Sequence, residues 1–132
     1  PLALLTFDLD HFKQINDSFG HASGDNALVL FANTLQQAFP DALCGRLGGE
    51  EFALVSQLDG ATLSARLDAL RQQCSTLNYA PGAPALSFSA GICHGQPEDL
   101  ENMLQQADMQ LYQAKRRGRG RTLGATATGH SG

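Results

Sequence analysis

Four carboxylates in the sequence lie where chain segments end or turn. Two follow an apolar run near the start of the chain and two follow a glycine pair: Asp8, Asp10, Glu50 and Glu51. Carboxylates gathered at one place repel one another unless a cation lies between them. Oxygen ligands that stay open to substrate are typical of magnesium, and a two-metal site supports phosphoryl transfer. The alternative is that Asp8 and Asp10 are ordinary turn-forming residues.

The polar segment after the first apolar run contains side chains that a purine nucleotide could use. Lys13 could meet phosphate charge, and Asn16 and Asp25 could pair with the donors and acceptors of a guanine edge. Each also has a structural interpretation, as surface charge, turn former or helix N-terminal residue. No G-x-x-x-x-G-K-[ST] loop is present, so Lys115 and Arg119 are candidates for holding a triphosphate together with metal ions.

Charge is divided unevenly along the chain. Residues 1–114 contain all 13 acidic residues and four of the nine basic ones, whereas residues 115–121 contain the other five. Such a basic arm could attract a nucleotide or nucleic acid, or it could be a solvated helix end that complements the helix dipole. Nucleic acid is the least favoured partner, because no aromatic pair is evident on a strand for stacking bases.

Length and composition indicate one soluble globular domain. The chain has 132 residues, of which 42% are hydrophobic and 17% charged. A chain of this size and composition can bury a hydrophobic core without disulfide bonds or structural metal ions. The three cysteines form no C-x-x-C pair, which favours reduced thiols and a cytoplasmic location. No apolar stretch approaches the ~18 residues that span a bilayer, so we expect no membrane insertion by this domain.

Hydrophobic periodicity predicts the elements that must position these groups. We predict four strands and three helices, with the strands over 2–8, 42–47, 51–56 and 86–92 and the helices over 28–39, 63–77 and 97–117. The glycine pair Gly48-Gly49 should supply the positive φ of a hairpin turn. Residues 10–25 are expected to form a loop and residues 123–132 a flexible tail.

The predicted order of elements is β-α-β-β-α-β followed by one helix. This is the α+β, ferredoxin-like arrangement with an additional C-terminal helix. In it the first and third strands are antiparallel neighbours, so the end of the first strand lies beside the hairpin turn. We therefore expect Asp8 and Glu50 to meet at one edge of the sheet.

Several ordered motifs resemble those of the GGDEF-domain diguanylate cyclases. Residues 7–25 are similar to the family's strand-to-loop segment. Residues 46–52, Arg-Leu-Gly-Gly-Glu-Glu-Phe, resemble the hairpin motif from which the family takes its name. Residues 107–119 resemble its C-terminal helix motif, and residues 89–91 its last-strand Ser-x-Gly. Residues 1–122 are thereby identified as a GGDEF domain.

The resemblance implies a nucleotidyl-cyclase palm that condenses two GTP into cyclic di-GMP and releases two pyrophosphates. It implies two Mg²⁺ or Mn²⁺ ions per half-site, held by Asp8, the Leu9 carbonyl, Glu50 and Glu51. Catalytic roles fall to Glu50 and Lys13, with Glu50 either the general base for the ribose 3′-hydroxyl or only a metal ligand. The residues implied to bind substrate are Asn16, His21, Asp25, Lys115 and Arg119.

The resemblance also implies a partner domain. Each domain binds one GTP, so two copies must face each other, and a homodimer is part of the expected mechanism. The family usually leaves control of dimerisation to an attached sensory or phospho-acceptor domain, and we expect one in the parent protein. The alternative is a catalytically silent GTP-binding module, but the intact acidic motif and Lys13 favour an active enzyme.

Three positions depart from the family pattern. The Arg-x-x-Asp product-inhibition motif is replaced by Phe39-Pro40-Asp41-Ala42, so we expect no feedback inhibition through that site. The family's N-terminal Asp-x-Leu-Thr element is not found before Pro1, so we expect that it is either trimmed from the chain or lies outside this sequence. Gly120 stands where the family usually has asparagine, which should loosen the basic arm while keeping Arg119.

Overall fold

The computed structural model describes residues 1–126, which form a five-stranded sheet flanked by helices. The strands are β1 (Leu2–Leu9), β2 (Leu43–Gly48), β3 (Glu51–Ser56), β4 (Phe88–Gly95) and β5 (Thr122–Thr126). The helices are α1 (Phe12–Phe19), α2 (His21–Ala38), α3 (Gly60–Ser75) and α4 (Leu100–Arg116), with a 3₁₀ turn over Pro97–Asp99 before α4. No helix in this described part of the chain is long and apolar enough to span a bilayer.

The sheet order is β2-β3-β1-β4-β5. The first four strands have the ferredoxin-like order predicted from the sequence, and β1 runs antiparallel to both β3 and β4. Because β1 lies in the middle, seven of its eight residues are buried. This explains why β1 is almost continuously apolar rather than alternating.

One face of the sheet packs against α1, α2 and α3. Alternate residues of β1 point to this side, and Phe7 makes edge-to-face contacts with Phe31 of α2 and Phe88 of β4, with ring centroids 6.1 and 5.6 Å apart. The α3 residues Leu63 and Leu70 belong to the same buried cluster. This aromatic and aliphatic layer fixes how the end of β1 lies relative to α2.

The other face is covered by α4, which approaches β4 very closely at Gly91. A Cβ placed on Gly91 would lie 2.0 Å from the carbonyl oxygen of Ala107 and 2.5 Å from the amide nitrogen of Leu111. Met103 and Ala107 of α4 are fully buried there against Leu4 of β1. Only a glycine at this strand position lets the α4 backbone pack so near the sheet.

The predicted loop over residues 10–25 is wrong, because α1 and the first turn of α2 occupy that segment. Phe12, Ile15 and Phe19 recur at helical spacing and pack on the main core, and this apolar face outweighs the polar residues between them. Gly20, with φ of +89°, separates the two helices. Phosphate- and base-binding candidates of this segment therefore lie on helices.

The predicted start of the C-terminal tail is also wrong. Residues 123–126 belong to β5, which pairs in parallel with β4; the rest of the predicted tail lies outside the described residues. Thr122, Leu123 and Gly124 show no periodicity of their own. Their strand conformation depends on the open edge of β4, which local sequence patterns do not reveal.

Replacing Gly91 by alanine should destabilise the fold. The new Cβ meets backbone atoms of α4, so we expect the free energy of unfolding to fall by about 3 kcal/mol through overpacking. Urea denaturation followed by circular dichroism would measure the change. Gly45→Ala is the matched control, since a Cβ there has nothing within 4 Å. Equal stability losses in the two variants would contradict the close helix–sheet contact.

Candidate active site

An acidic cavity of about 380 Å³ lies where β1 ends beside the β2–β3 hairpin. Asp8 is paired directly across the sheet with Glu51, and the amide of Leu9 donates to the carbonyl oxygen of Glu50 at 3.4 Å. The cavity is lined by carboxylates from three elements together with a lysine: Asp8, Glu50, Glu51, Asp108 and Lys115. Antiparallel pairing of β1 with β3 thus brings the distant acidic motifs together, as expected from the element order.

Asp8 is the most buried carboxylate of this cavity, with 7% of its surface exposed. Burial raises the pKa of Asp8 above its usual range, and the hydrogen bond and charge of Lys115 oppose that shift. The Lys115 ammonium forms an ion pair with Asp8 Oδ2. The other oxygen, Oδ1, is buried and has no hydrogen-bond partner.

Glu51 faces a second carboxyl group across the cavity. The pKa of Glu51 is raised to about 7. The largest cause is burial, and the hydrogen bond with Asp108 and the charge of Asp108 contribute in the same direction. Asp108 Oδ1 is a further buried oxygen without a partner. The cavity therefore concentrates carboxyl groups whose ionised forms the protein alone stabilises poorly.

Asp10 does not belong to the acidic cavity, contrary to the expected cluster of four carboxylates. Its Oδ1 accepts a hydrogen bond from Ser89 Oγ at 2.6 Å. Its Oδ2 accepts from Ser87 Oγ at 2.7 Å and from the Gly120 amide at 3.0 Å. All these donors come from the protein, and Asp10 does not line the acidic cavity.

The two candidate guanine-binding residues lie on neighbouring helices. The side chain of Asn16 lies against Gly24, where a Cβ would be 1.8 Å from Asn16 Oδ1. Asp25 follows on α2 and lines a cavity of about 620 Å³, which runs between α2 and β2 as far as Arg46. Gly24 is thus required for Asn16 to pack this closely on α2, one residue before Asp25.

Three other predicted residues lie outside both cavities. Lys13 is on the exposed side of α1, where its ammonium is 3.6 Å from Asp17 Oδ2 and its side chain is 89% exposed. His21 is exposed at the start of α2. Arg119 is exposed in the turn after α4 and has a left-handed φ of +61°. The folded chain does not bring these groups to the acidic cavity.

Two cavity residues were missed by the sequence analysis. Asp108 directly follows Ala107, which is buried on α4. An acidic residue beside a buried helix position is unusual, and this was the signal available in the sequence. Arg46 donates from Nε to the carbonyl oxygen of Gly49 at 2.8 Å and so braces the hairpin turn. Arg46 lies in the hairpin motif of residues 46–52. Its hydrogen bond could not be predicted, because that bond depends on the conformation of the turn.

A ferredoxin-like sheet with an acidic cavity between its first strand and its central hairpin defines a palm domain of the nucleotidyl-cyclase class. The chain belongs to the GGDEF family: its residues 1–121 match the sequence model described as diguanylate cyclase, GGDEF domain. The hairpin reads Gly48-Gly49-Glu50-Glu51-Phe52 in this member.

Individual relatives agree with this assignment. A diguanylate cyclase of Vibrio cholerae is 34% identical over 92% of this chain, and the match spans 39% of that relative. The structure of the active GGEEF domain of a V. cholerae diguanylate cyclase is 33% identical, with a TM-score of 0.83 over 93% of this chain and 81% of that one. The GGDEF domain of DgcB from Caulobacter crescentus, in complex with c-di-GMP, is 28% identical, with a TM-score of 0.82 over 96% and 78%.

Diguanylate cyclases of this family are generally metal-dependent, and the donor chemistry of the cavity fits a divalent cation. Asp8 Oδ1 is a buried oxygen without a partner, beside two further glutamates. Carboxylate oxygens are the ligands that Mg²⁺ prefers. Within residues 1–126, no group of three such side chains is arranged to hold an ion, so Glu50 and Glu51 would have to move for both to share an ion with Asp8.

Proposed function

We propose that this domain is an active diguanylate cyclase that condenses two GTP into cyclic di-GMP. The observation that carries the proposal is the acidic cavity, which Asp8 of β1 lines together with both glutamates of the hairpin and in which Asp8 Oδ1 is buried without a hydrogen-bond partner. A purely structural cluster of acids would be expected to have its buried oxygens satisfied. The membership of the chain in the GGDEF family supports the same reaction.

The proposed roles of the binding residues follow from their positions. Asn16 and Asp25 bind the guanine edge, since an amide and a carboxylate match its acceptor and donors. Lys115 lines the acidic cavity, and its ammonium would leave Asp8 to bind the triphosphate. His21, at the exposed start of α2, lies near the guanine in this proposal. Lys13 and Arg119 are also exposed, so they would reach phosphate by side-chain movement from α1 and the turn after α4.

The metal ligands in this proposal are Asp8, the Leu9 carbonyl, Glu50 and Glu51, holding two Mg²⁺ or Mn²⁺ ions. When bound, such ions would neutralise phosphate charge and acidify the ribose 3′-hydroxyl. Glu50, at the hairpin turn, either accepts the hydroxyl proton on a carboxylate oxygen or acts only as a ligand. Most of the rate enhancement would come from positioning and electrostatics, as in other phosphoryl transfers.

The reaction requires two copies of the domain. The reaction has two equivalent steps. In each step the 3′-oxygen of one GTP attacks the α-phosphorus of the other GTP, the bond from that phosphorus to pyrophosphate breaks, and the hydroxyl proton is lost. Two such steps close the ring and release two pyrophosphates. The chain spans less than half of the V. cholerae relative, so we propose that the parent protein also contains a regulatory domain and works in the cytoplasm, where GTP is available.

Replacing Glu50 by alanine should abolish cyclic di-GMP formation and leave the fold intact, because Glu50 lies in a partly exposed hairpin turn outside the core. Chromatographic separation of nucleotides after incubation with GTP and Mg²⁺ or Mn²⁺ would measure it. Glu101→Ala, on the exposed first turn of α4, is the matched control and should retain activity. Turnover by the Glu50 variant would exclude its role, and GTP binding without turnover by the unmodified chain would favour the silent module.

Replacing Asp25 by alanine should raise the KM for GTP by about tenfold or more, because a hydrogen bond from guanine to a charged group is lost. Discrimination between GTP and ATP should fall with it. Initial rates over a range of GTP concentrations would measure KM, and competition binding with ATP would measure the discrimination. Asp41→Ala, in an exposed loop, is the control. Unchanged selectivity in the Asp25 variant would remove this residue from the base subsite.

Specific activity should rise with protein concentration, since each domain holds only one GTP and the product requires two. Pyrophosphate release measured from nanomolar to tens of micromolar protein would test this. A flat activity over that range would argue against the reaction at a dimer interface.

A further inference from the structure

The carboxylate of Asp10 is the most heavily hydrogen-bonded acidic group described outside the acidic cavity. It is 5% exposed and accepts from two serine hydroxyls and one backbone amide, at distances of 2.6 to 3.0 Å. Its own amide donates to the Ser87 carbonyl oxygen at 2.9 Å. The proposed reaction does not use this residue, although it lies only two positions after Asp8.

Its amide donor, Gly120, belongs to the basic turn, which we define as residues 117–121. Neighbouring elements hold this turn at both ends and also at Arg119. The Arg117 amide donates to the Gln113 carbonyl oxygen at 2.9 Å, the Arg119 amide donates to the Ala114 carbonyl oxygen at 3.0 Å, and the Arg121 carbonyl oxygen accepts from the Ala90 amide at 2.9 Å. Just beyond the turn, Arg71 donates to Thr122 Oγ1 at 2.6 Å.

The middle of the turn is linked to Asp10 through Gly120, and Arg121 Nε donates to the Arg119 carbonyl oxygen at 3.1 Å. Gly118, Arg119 and Gly120 all have positive φ, with values of 113°, 61° and 60°. A left-handed conformation costs free energy at Arg119, which has a Cβ, and the exposed turn has no apolar core of its own. The hydrogen bond from the Gly120 amide to Asp10 Oδ2 links this strained segment to the end of β1.

We infer that Asp10 is a positioning residue that holds the basic turn so that Arg119 is presented toward the triphosphate of a bound nucleotide. The inference rests on the proposed function for its ligand, and it assigns Asp10 a role distinct from that of Asp8. The Asp8 carboxylate faces the acidic cavity, whereas the Asp10 carboxylate faces β4 and the basic turn. Asp10 touches neither substrate nor metal and acts through Gly120 and Arg119.

Four variants separate this role from its alternatives. Asp10→Ala removes all three accepted hydrogen bonds, and Asp10→Ser keeps a polar group that is too short to reach Gly120. Asp10→Asn is the conservative variant, because its carbonyl can still accept from Gly120 while the serine hydroxyls rotate to suit its amide. Ser89→Ala is the matched control: it removes one hydrogen bond from Oδ1 and leaves the turn attached.

Hydrogen exchange of the Gly120 amide, followed by NMR in the nucleotide-free chain, reads the contact directly. Gly120 is exposed, so its protection should come mainly from Asp10. We expect exchange to accelerate about tenfold or more in Asp10→Ala and Asp10→Ser, and to change less than about threefold in Asp10→Asn and Ser89→Ala. If Asp10→Ala does not fold, the exchange rate of the Gly120 amide in Asp10→Ser tests the inference instead. Unchanged exchange in the folded variant would overturn the inference.

Kinetics then tests whether the contact acts through Arg119. Asp10→Ala should raise the KM for GTP about tenfold with little change in kcat, as Arg119→Ala should, and the double variant should be no worse than either single one. Multiplicative effects would overturn the inference, because they would place Asp10 on a separate path. Loss of kcat in Asp10→Asn with an altered Mg²⁺ requirement would also overturn it and make Asp10 a metal ligand.

The two measurements distinguish failure of this inference from failure of the proposed function. If the unmodified chain neither binds nor converts GTP, the proposed function fails, and Gly120 exchange still decides whether Asp10 holds the turn. If the unmodified chain converts GTP and the Asp10 variants leave KM unchanged, the inference alone fails.

Discussion

The antiparallel pairing of β1 with β3 is the constraint on which the rest of the site depends. Its register places Asp8 opposite Glu51, and it does so only because β1 is buried on both faces and cannot slip. A shift of one residue would turn Phe7 away from its aromatic cluster and move Asp8 to the opposite face. The core therefore sets the positions of the carboxylates, although it contains none of them.

The cost of this arrangement is electrostatic. Burial disfavours the ionised forms of Asp8 and Glu51, and in the protein alone Lys115 provides the compensating charge for Asp8. Partly buried acids whose charge is incompletely compensated favour the binding of a further cation. The close approach of α4 at Gly91 matters for the same reason, because α4 supplies both Asp108 and Lys115 to the cavity.

Asp8 and Asp10 show how neighbouring acids acquire different roles. Both follow the same apolar run, and residue type and hydrophobic periodicity do not distinguish them, although the family resemblance implies a metal-ligand role only for Asp8. In the folded chain Asp8 has a buried oxygen without a partner, whereas both oxygens of Asp10 are used by serines and by Gly120. The donors come from residues more than 70 positions away, so no local pattern could have separated the two.

Local patterns were sufficient for the elements whose residues determine their own conformation. The apolar run of β1, the glycine pair of the hairpin and the helical stripe of α3 each predicted their element, and the element order alone predicted that Asp8 would lie near the hairpin. Tertiary structure decided the rest. Strand β5 forms because the edge of β4 is available for pairing. Helix α1 forms over a mostly polar sequence because its few apolar residues pack on the core. Conformation that depends on a distant partner is invisible until the chain is folded, since hydrogen bonds and burial exist only between groups that the fold brings together.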